Sequence, residues 1–213
     1  WDNTLKVWDL ERNALIATLN GHSDCVTCCA VFAGGRRALS GSDDETLKVW
    51  NLDTNTVIAT LTGHSRAVWC CAVFAGGRRA LSGSDDNTLK VWNLDSNTEM
   101  ATLHGHSESV YCCAVFAEGT RALSGSHDKT LKVWDLDTNT AIATLTGHSS
   151  YVSCCAVFSA CNSVFKRQNL ELVYAFLACG SSKLTGDNGE GAAAGGASSS
   201  TPSVKRLKVA NVN

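Results

Sequence analysis

No stretch of the 213 residues is apolar for long enough to cross a bilayer as a helix. No secretory signal opens the chain. Charge of one sign is also missing. The net charge is -2 and the pI is near 6.3, so the chain lacks the global basic field that nucleic-acid binding draws on. Two catalytic signatures are absent. There is no Gly-x-Ser-x-Gly nucleophile elbow and no Gly-x-x-x-x-Gly-Lys phosphate loop. Methionine occurs once, as Met100, and the chain opens on Trp1 in the middle of a motif. We therefore expect a fragment of a longer protein.

What is present is repetition. Gly21-His22, Gly63-His64, Gly105-His106 and Gly147-His148 recur every 42 residues, and Trp8, Trp50, Trp92 and Trp134 keep the same spacing. The units beginning at Gly21 and Gly63 differ at only eight positions (24, 25, 27, 45, 54, 57, 58 and 62), so they are copies of one design. A fixed period of this length marks a repeat architecture, in which each unit buries its apolar face against the next.

Eleven cysteines suggest disulfides or metal until they are placed. Eight form the pairs Cys28-Cys29, Cys70-Cys71, Cys112-Cys113 and Cys154-Cys155, each inside the apolar run CCAVF. Neighbouring strand residues point to opposite faces, so one pair does not readily put both thiols on one metal ion. They read as small buried hydrophobes, suited to a reducing, intracellular compartment.

Each unit reads as four short strands. In the first full unit these are Val26–Phe32, Arg37–Ser42, Thr46–Trp50 and Val57–Leu61, with turns at Ala33–Arg36, Asp43–Glu45 and Asp53–Asn55. The fold class is all-β: a partial β-propeller of four-stranded antiparallel blades with a disordered C-terminal tail. Residues 1–158 carry the repeats, complete at 21–62, 63–104 and 105–146 and partial at 1–20 and 147–158. Residues 159–183 diverge and offer one further strand. If that strand pairs beside Leu5–Trp8, the two ends complete one blade between them. Residues 184–213 form a Gly/Ala/Ser-rich tail, too poor in apolar bulk to fold.

The motif Gly-His, then Leu-Ser-Gly-Ser-x-Asp, then Thr-Leu-Lys-Val-Trp-Asp/Asn resembles the WD-repeat β-propeller family across residues 1–158. The resemblance implies a buried His–Ser–Asp–Trp network in each blade. By motif position the sets are His22, Ser40, Asp44 and Trp50; His64, Ser82, Asp86 and Trp92; and His106, Ser124, Asp128 and Trp134. The chemistry agrees, because a buried Trp N–H and Ser O–H need acceptors and a turn Asp can accept from a His. A hydrolytic Ser–His–Asp triad is the competing reading. Its threefold repetition at one spacing speaks against it. His104, at the end of one unit, and His106 and His127 of the next offer a zinc site, but the structural role of His106 favours no metal. No cofactor is expected, and no catalysis.

The units differ chiefly at one end, where the fourth-to-first connections and the second-to-third turns lie. The variable positions are Asp24/Arg66/Glu108/Ser150, Cys25/Ala67/Ser109/Tyr151 and Thr27/Trp69/Tyr111/Ser153, with Glu45/Asn87/Lys129 and the change from Asp43 and Asp85 to His127. Aromatic residues and arginine dominate interface hot spots. We therefore expect a non-catalytic scaffold that binds a protein or peptide through Arg66, Trp69, Glu108, Tyr111, His127 and Tyr151, as the resemblance also implies. The alternatives are a sensor module detached from a larger signalling ATPase, whose tandem WD-type repeats these resemble, and a truncated product without independent function. Neither membrane nor nucleic acid is an expected partner, and the open fragment is expected to self-associate or close. The location is expected to be cytoplasmic, with nuclear import if the tail motif Pro-x-x-Lys-Arg-x-Lys, bearing Lys205, Arg206 and Lys208, acts as a signal.

Overall fold

The computed structural model describes residues 2–157. The expectations for 159–183, for the tail 184–213, and for Lys205, Arg206 and Lys208 lie outside the described residues. The described chain is built of strands alone, apart from three single-turn 3₁₀ helices at Ala33–Gly35, Ala75–Gly77 and Ala117–Gly119.

An N-terminal hairpin pairs β1 (Thr4–Asp9) with β2 (Ala14–Asn20). Three four-stranded antiparallel sheets follow, each in simple up-and-down order. The first holds β3 (Val26–Phe32), β4 (Arg37–Ser42), β5 (Leu47–Asn51) and β6 (Thr56–Leu61). The second holds β7 (Val68–Phe74), β8 (Arg79–Ser84), β9 (Leu89–Asn93) and β10 (Thr98–Leu103). The third holds β11 (Val110–Phe116), β12 (Arg121–Ser126), β13 (Leu131–Asp135) and β14 (Thr140–Leu145). Contact between sheets runs through the first strands, β3 to β7 and β7 to β11. The sheets thus fan out from their first strands as an open, partial propeller.

Alternation explains the core. In β5, Leu47 and Val49 are buried on one face and Trp50 on the other, and the register with β6 shifts there, Val49 facing Ala59 and Trp50 facing Val57. The sheet boundaries are continuous apolar layers. Phe32, Leu39, Leu47, Val49 and Leu61 of the first sheet meet Val68, Ala80, Trp92 and Leu94 of the second. The same layer recurs between the second and third sheets, where Phe74, Leu81, Val91 and Leu103 meet Val110, Ala122, Trp134 and Leu136. Burying each such large side chain stabilises the stack by about 1.5–3 kcal/mol.

The two ends of the stack are covered in part. The hairpin packs Leu5, Val7, Ala17 and Leu19 on Ala38, Trp50 and Leu52, the outer half of the first sheet. The inner half stays open, with Val31 63% exposed. At the other end Val152, Cys155 and Val157 pack against the third sheet where the first strand of a next unit would lie. Val152 N–H donates to the Ser126 carbonyl at 2.9 Å, which fixes that placement.

The turn after each first strand depends on left-handed backbone. Ala33, Gly34 and Gly35 run at φ 51°, 65° and 85°, and Glu118 takes the second place at φ 53° in the third sheet. Glycine adopts such angles without cost, whereas Glu118 does so under mild strain.

Candidate functional site

Each sheet is pinned by one side-chain circuit. In the second sheet His64 Nδ1 lies 2.7 Å from Asp86 Oδ2, and His64 Nε2 lies 2.8 Å from Ser82 Oγ. The Trp92 indole N–H donates to the same Ser82 oxygen at 2.8 Å. The first sheet repeats the circuit with His22, Asp44, Ser40 and Trp50 at 2.7, 2.8 and 2.8 Å. The third repeats it with His106, Asp128, Ser124 and Trp134, each contact at 2.7 Å. The donors and acceptors allow one consistent assignment. His Nδ1–H donates to Asp, Ser O–H donates to His Nε2, and Trp N–H donates to Ser.

The electrostatics match that assignment. Burial lowers the His22 and His106 pKa values despite the opposing pull of Asp44 and Asp128, so both rings stay neutral at pH 7. Burial opposes ionisation of Asp44, but hydrogen bonds from Thr46, His22 and Ser23 outweigh it and hold the carboxyl at about 2. Asp128 is held at about 2 in the same way, with Thr130 and His106 as donors. Asp86 is also lowered, through His64 and Thr88.

These circuits have the composition of a hydrolytic triad without its access. Ser40, Ser82 and Ser124 are fully buried, and each hydroxyl is already committed to a His and a Trp. A substrate carbonyl cannot approach a serine so enclosed. Among the described residues the partial units lack the circuit. Trp8 is 53% exposed, and His148 sits beyond the third sheet.

The variable end is organised by bulges. The register of each first strand shifts at one residue, between Val26 and Cys28, Val68 and Cys70, and Val110 and Cys112. The residues in those gaps are Thr27, Trp69 and Tyr111. A bulge frees its residue from the ladder and re-aims the side chain, so the positions that vary are those the sheet constrains least.

Trp69, Tyr111 and Tyr151 form an edge-to-face aromatic row. Ring centroids are 5.7 Å apart for Trp69–Tyr111 and 5.8 Å for Tyr111–Tyr151. His127 stacks on Tyr151 at 5.6 Å and hydrogen-bonds Glu108 through Nδ1. Arg66 is exposed at the same end. The six residues singled out from internal variation are therefore brought to one end, and Trp69, Tyr111, Tyr151, His127 and Glu108 form a connected cluster. The aromatic rings are partly buried against one another, so the row is a built surface.

Beside it lies a cleft of about 310 Å³ lined by Asp2, Asn3, Thr4, Cys25, Val26, Thr27, Asp43 and Trp69. The sequence did not mark this cleft. Its cause is a mismatch between units. The Trp69 indole N–H donates to Asp85 Oδ1 at 2.6 Å. Asp43 holds the same repeat position as Asp85, but its unit has Thr27 where the next has Trp69. Asp43 Oδ1 is consequently buried without a hydrogen-bond partner among the described residues. Burial, then the charges of Asp24, Asp85 and Asp44, push the Asp43 carboxyl up. Asp24, Cys25 and Asp43 bring candidate ligand atoms within 4.8 Å of one another. His104, His106 and His127 do not converge in this way: His106 is held by Asp128 and Ser124, and His127 faces Glu108.

The model of the family described as WD domain, G-beta repeat matches residues 13–51, 55–93, 97–135 and 139–184, more than half of the chain. No curated protein matches it. The first three matched segments each begin near the last strand of one sheet or hairpin and run through the first three strands of the next, and the fourth begins near β14 and extends beyond the described residues.

Proposed function

Since the chain belongs to the WD-repeat family, whose domains generally mediate protein–protein interaction and are typically non-catalytic, we propose that it is a scaffold whose partner docks on the end bearing Arg66, Trp69, Glu108, Tyr111, His127 and Tyr151. The partner anchors a basic side chain in the cleft between Thr27 and Trp69. The observation that carries this reading is the orphaned Asp43 oxygen in a cleft that the half-buried Trp69 also lines. A guanidinium or ammonium group supplies the missing donor and lies against Trp69, where cation and ring attract. Asp2 and Asp24 add negative charge around it. The aromatic row then contributes contact area, because large rigid rings give much buried surface for little lost freedom.

The test is a positional peptide library probed with the full chain. Arg or Lys should be enriched at one position, and Asp43→Asn should abolish that enrichment. Trp69→Ala or Tyr111→Ala should weaken binding of the selected peptide by at least about 1 kcal/mol, roughly fivefold. Arg36→Ala and Arg37→Ala, at the opposite end of the sheets, should leave it unchanged. Equal losses from both ends would reject this face as the docking surface. Enrichment of acidic or purely apolar residues would reject the cleft assignment.

A further inference from the structure

The paired cysteines acquire a second meaning once the sheets are stacked. Within each pair the two thiols point to opposite faces, as alternation requires. The first thiol of one sheet and the second thiol of the next sheet therefore enter the same interface. Cys28 and Cys71 pack in the layer between the first and second sheets. Cys70 and Cys113 share the next layer. Cys112 and Cys155 share the third.

The placement is set by glycines and by carbonyls. Gly41, Gly83 and Gly125 leave the space over the second strand in which Cys28, Cys70 and Cys112 lie, since a Cβ at any of them would come within 2.7 Å of that sulfur. From the other side Cys71, Cys113 and Cys155 reach back to the carbonyls of Leu39, Leu81 and Leu123 at 3.9, 3.9 and 3.8 Å. In each layer the two thiols lie close enough to influence one another. The arrangement repeats three times with the same partners one unit away, so it is a property of the unit.

We propose that each interface between sheets is a dithiol modification site, at which a small peroxide converts the facing thiols into a disulfide joining consecutive units: Cys28–Cys71, Cys70–Cys113 and Cys112–Cys155. The chemistry balances as two thiols and one hydrogen peroxide giving one disulfide and two waters. The thiolate of one cysteine attacks a peroxide oxygen. The O–O bond breaks, a sulfenic acid forms, and the first water leaves after the departing oxygen takes a proton. The facing sulfur then attacks the sulfenic sulfur, the S–O bond breaks, and the second water leaves with the second thiol proton.

Cys28 is the thiol suited to the first step. The Cys71 thiol beside it lowers its pKa, while Cys28 and burial raise that of Cys71, so the pair supplies one nucleophile and one retained proton. Cys28 and Cys71 also keep part of their surface exposed, which admits a small oxidant. Cys29 and Cys154 stand at the open ends of the ladder, exposed and without a facing thiol among the described residues. They serve as an internal control.

The experiment treats the full chain with hydrogen peroxide, blocks remaining thiols, and maps tryptic peptides without reduction. Cleavage at Arg36, Arg66, Lys90, Arg121 and Lys132 places each cysteine pair on its own peptide. The expected products are cross-linked peptides from consecutive units, each lighter than its two parts by two hydrogens. In Cys71→Ser the link between the first and second units should vanish while the link from the second to the third remains. In Cys70→Ser the pattern should reverse. Links confined within one peptide, links through Cys29 and Cys154 only, or sulfinic acid without cross-links would each overturn the proposal. So would a wild-type map in which all interface thiols stay free.

Discussion

Trp69 donates its indole N–H to Asp85 at 2.6 Å, while Asp43, at the same position one unit earlier, is left with a buried oxygen to which no described residue donates a hydrogen bond. One substitution between copies, Thr27 against Trp69, separates a satisfied turn from an open one.

Asp43 carries a cost in the unliganded protein, because desolvation and three neighbouring carboxylates disfavour its charge. Asp43→Asn should therefore raise the melting temperature at pH 7 and remove binding of a basic peptide. The sign is specific. A folded-state pKa raised above the unfolded value means that the carboxylate destabilises the fold above that range, and the penalty fades as pH falls. Calorimetry at pH 7 and pH 4 should show the wild-type–variant gap shrinking at the lower pH.

Asp86 is the acceptor that holds His64 in its tautomer. Asp86→Ala leaves a buried ring N–H short of a partner and loosens the Ser82 and Trp92 contacts behind it. The expected loss is about 1–3 kcal/mol, read from the denaturant midpoint of the full chain. An unchanged midpoint would remove the structural role of the circuit.

Acid should unfold the stack in two stages. His22 and His106 have lowered folded-state pKa values, so the unfolded chain binds protons more readily once pH falls below about 6.5, the ordinary histidine value. Asp44 and Asp128 sit at about 2 against an ordinary 3.8, so their stabilisation is complete above about 4 and is lost as pH falls towards 2. Stability should rise with pH through both windows and level off near neutrality. A melting temperature flat from pH 6.5 to pH 5 would contradict neutral buried histidines.

Gly83 is required for contact. A Cβ there would lie 2.7 Å from both Cys70 Sγ and Val110 Cγ1. Gly83→Ala should destabilise by about 1–3 kcal/mol through overpacking of the second interface. Thermal melting of the variant checks this, and an increase in stability would refute it.

The repeat made much of the fold legible. His22, Ser40, Asp44 and Trp50 could be grouped from motif order because buried polar groups need partners, and their circuit is present. The strands of the first unit were readable to within a residue from alternation and turn glycines. The aromatic end was visible because Thr27, Trp69 and Tyr111 differ where their neighbours agree. What the sequence hid lies between units. A period of 42 residues does not say that Cys28 meets Cys71 rather than its neighbour Cys29, because that contact belongs to sheet stacking. The cleft was hidden for a related reason. It arises where a turn oxygen loses an indole partner, and neither Thr27 nor Asp43 looks unusual alone. The Ala33 left-handed angle was likewise invisible, since alanine carries no turn signal and the two glycines after it account for a turn by themselves.

The layer of Leu39, Val49 and Leu61 against Val68, Ala80 and Trp92 is reproduced by Leu81, Val91 and Leu103 against Val110, Ala122 and Trp134. Each sheet therefore carries a plug on one side and the matching socket on the other. A gene segment encoding one unit can be duplicated or deleted by unequal recombination, and the new neighbours still fit. An array of this design can then change length in whole-unit steps with every remaining interface packed as before.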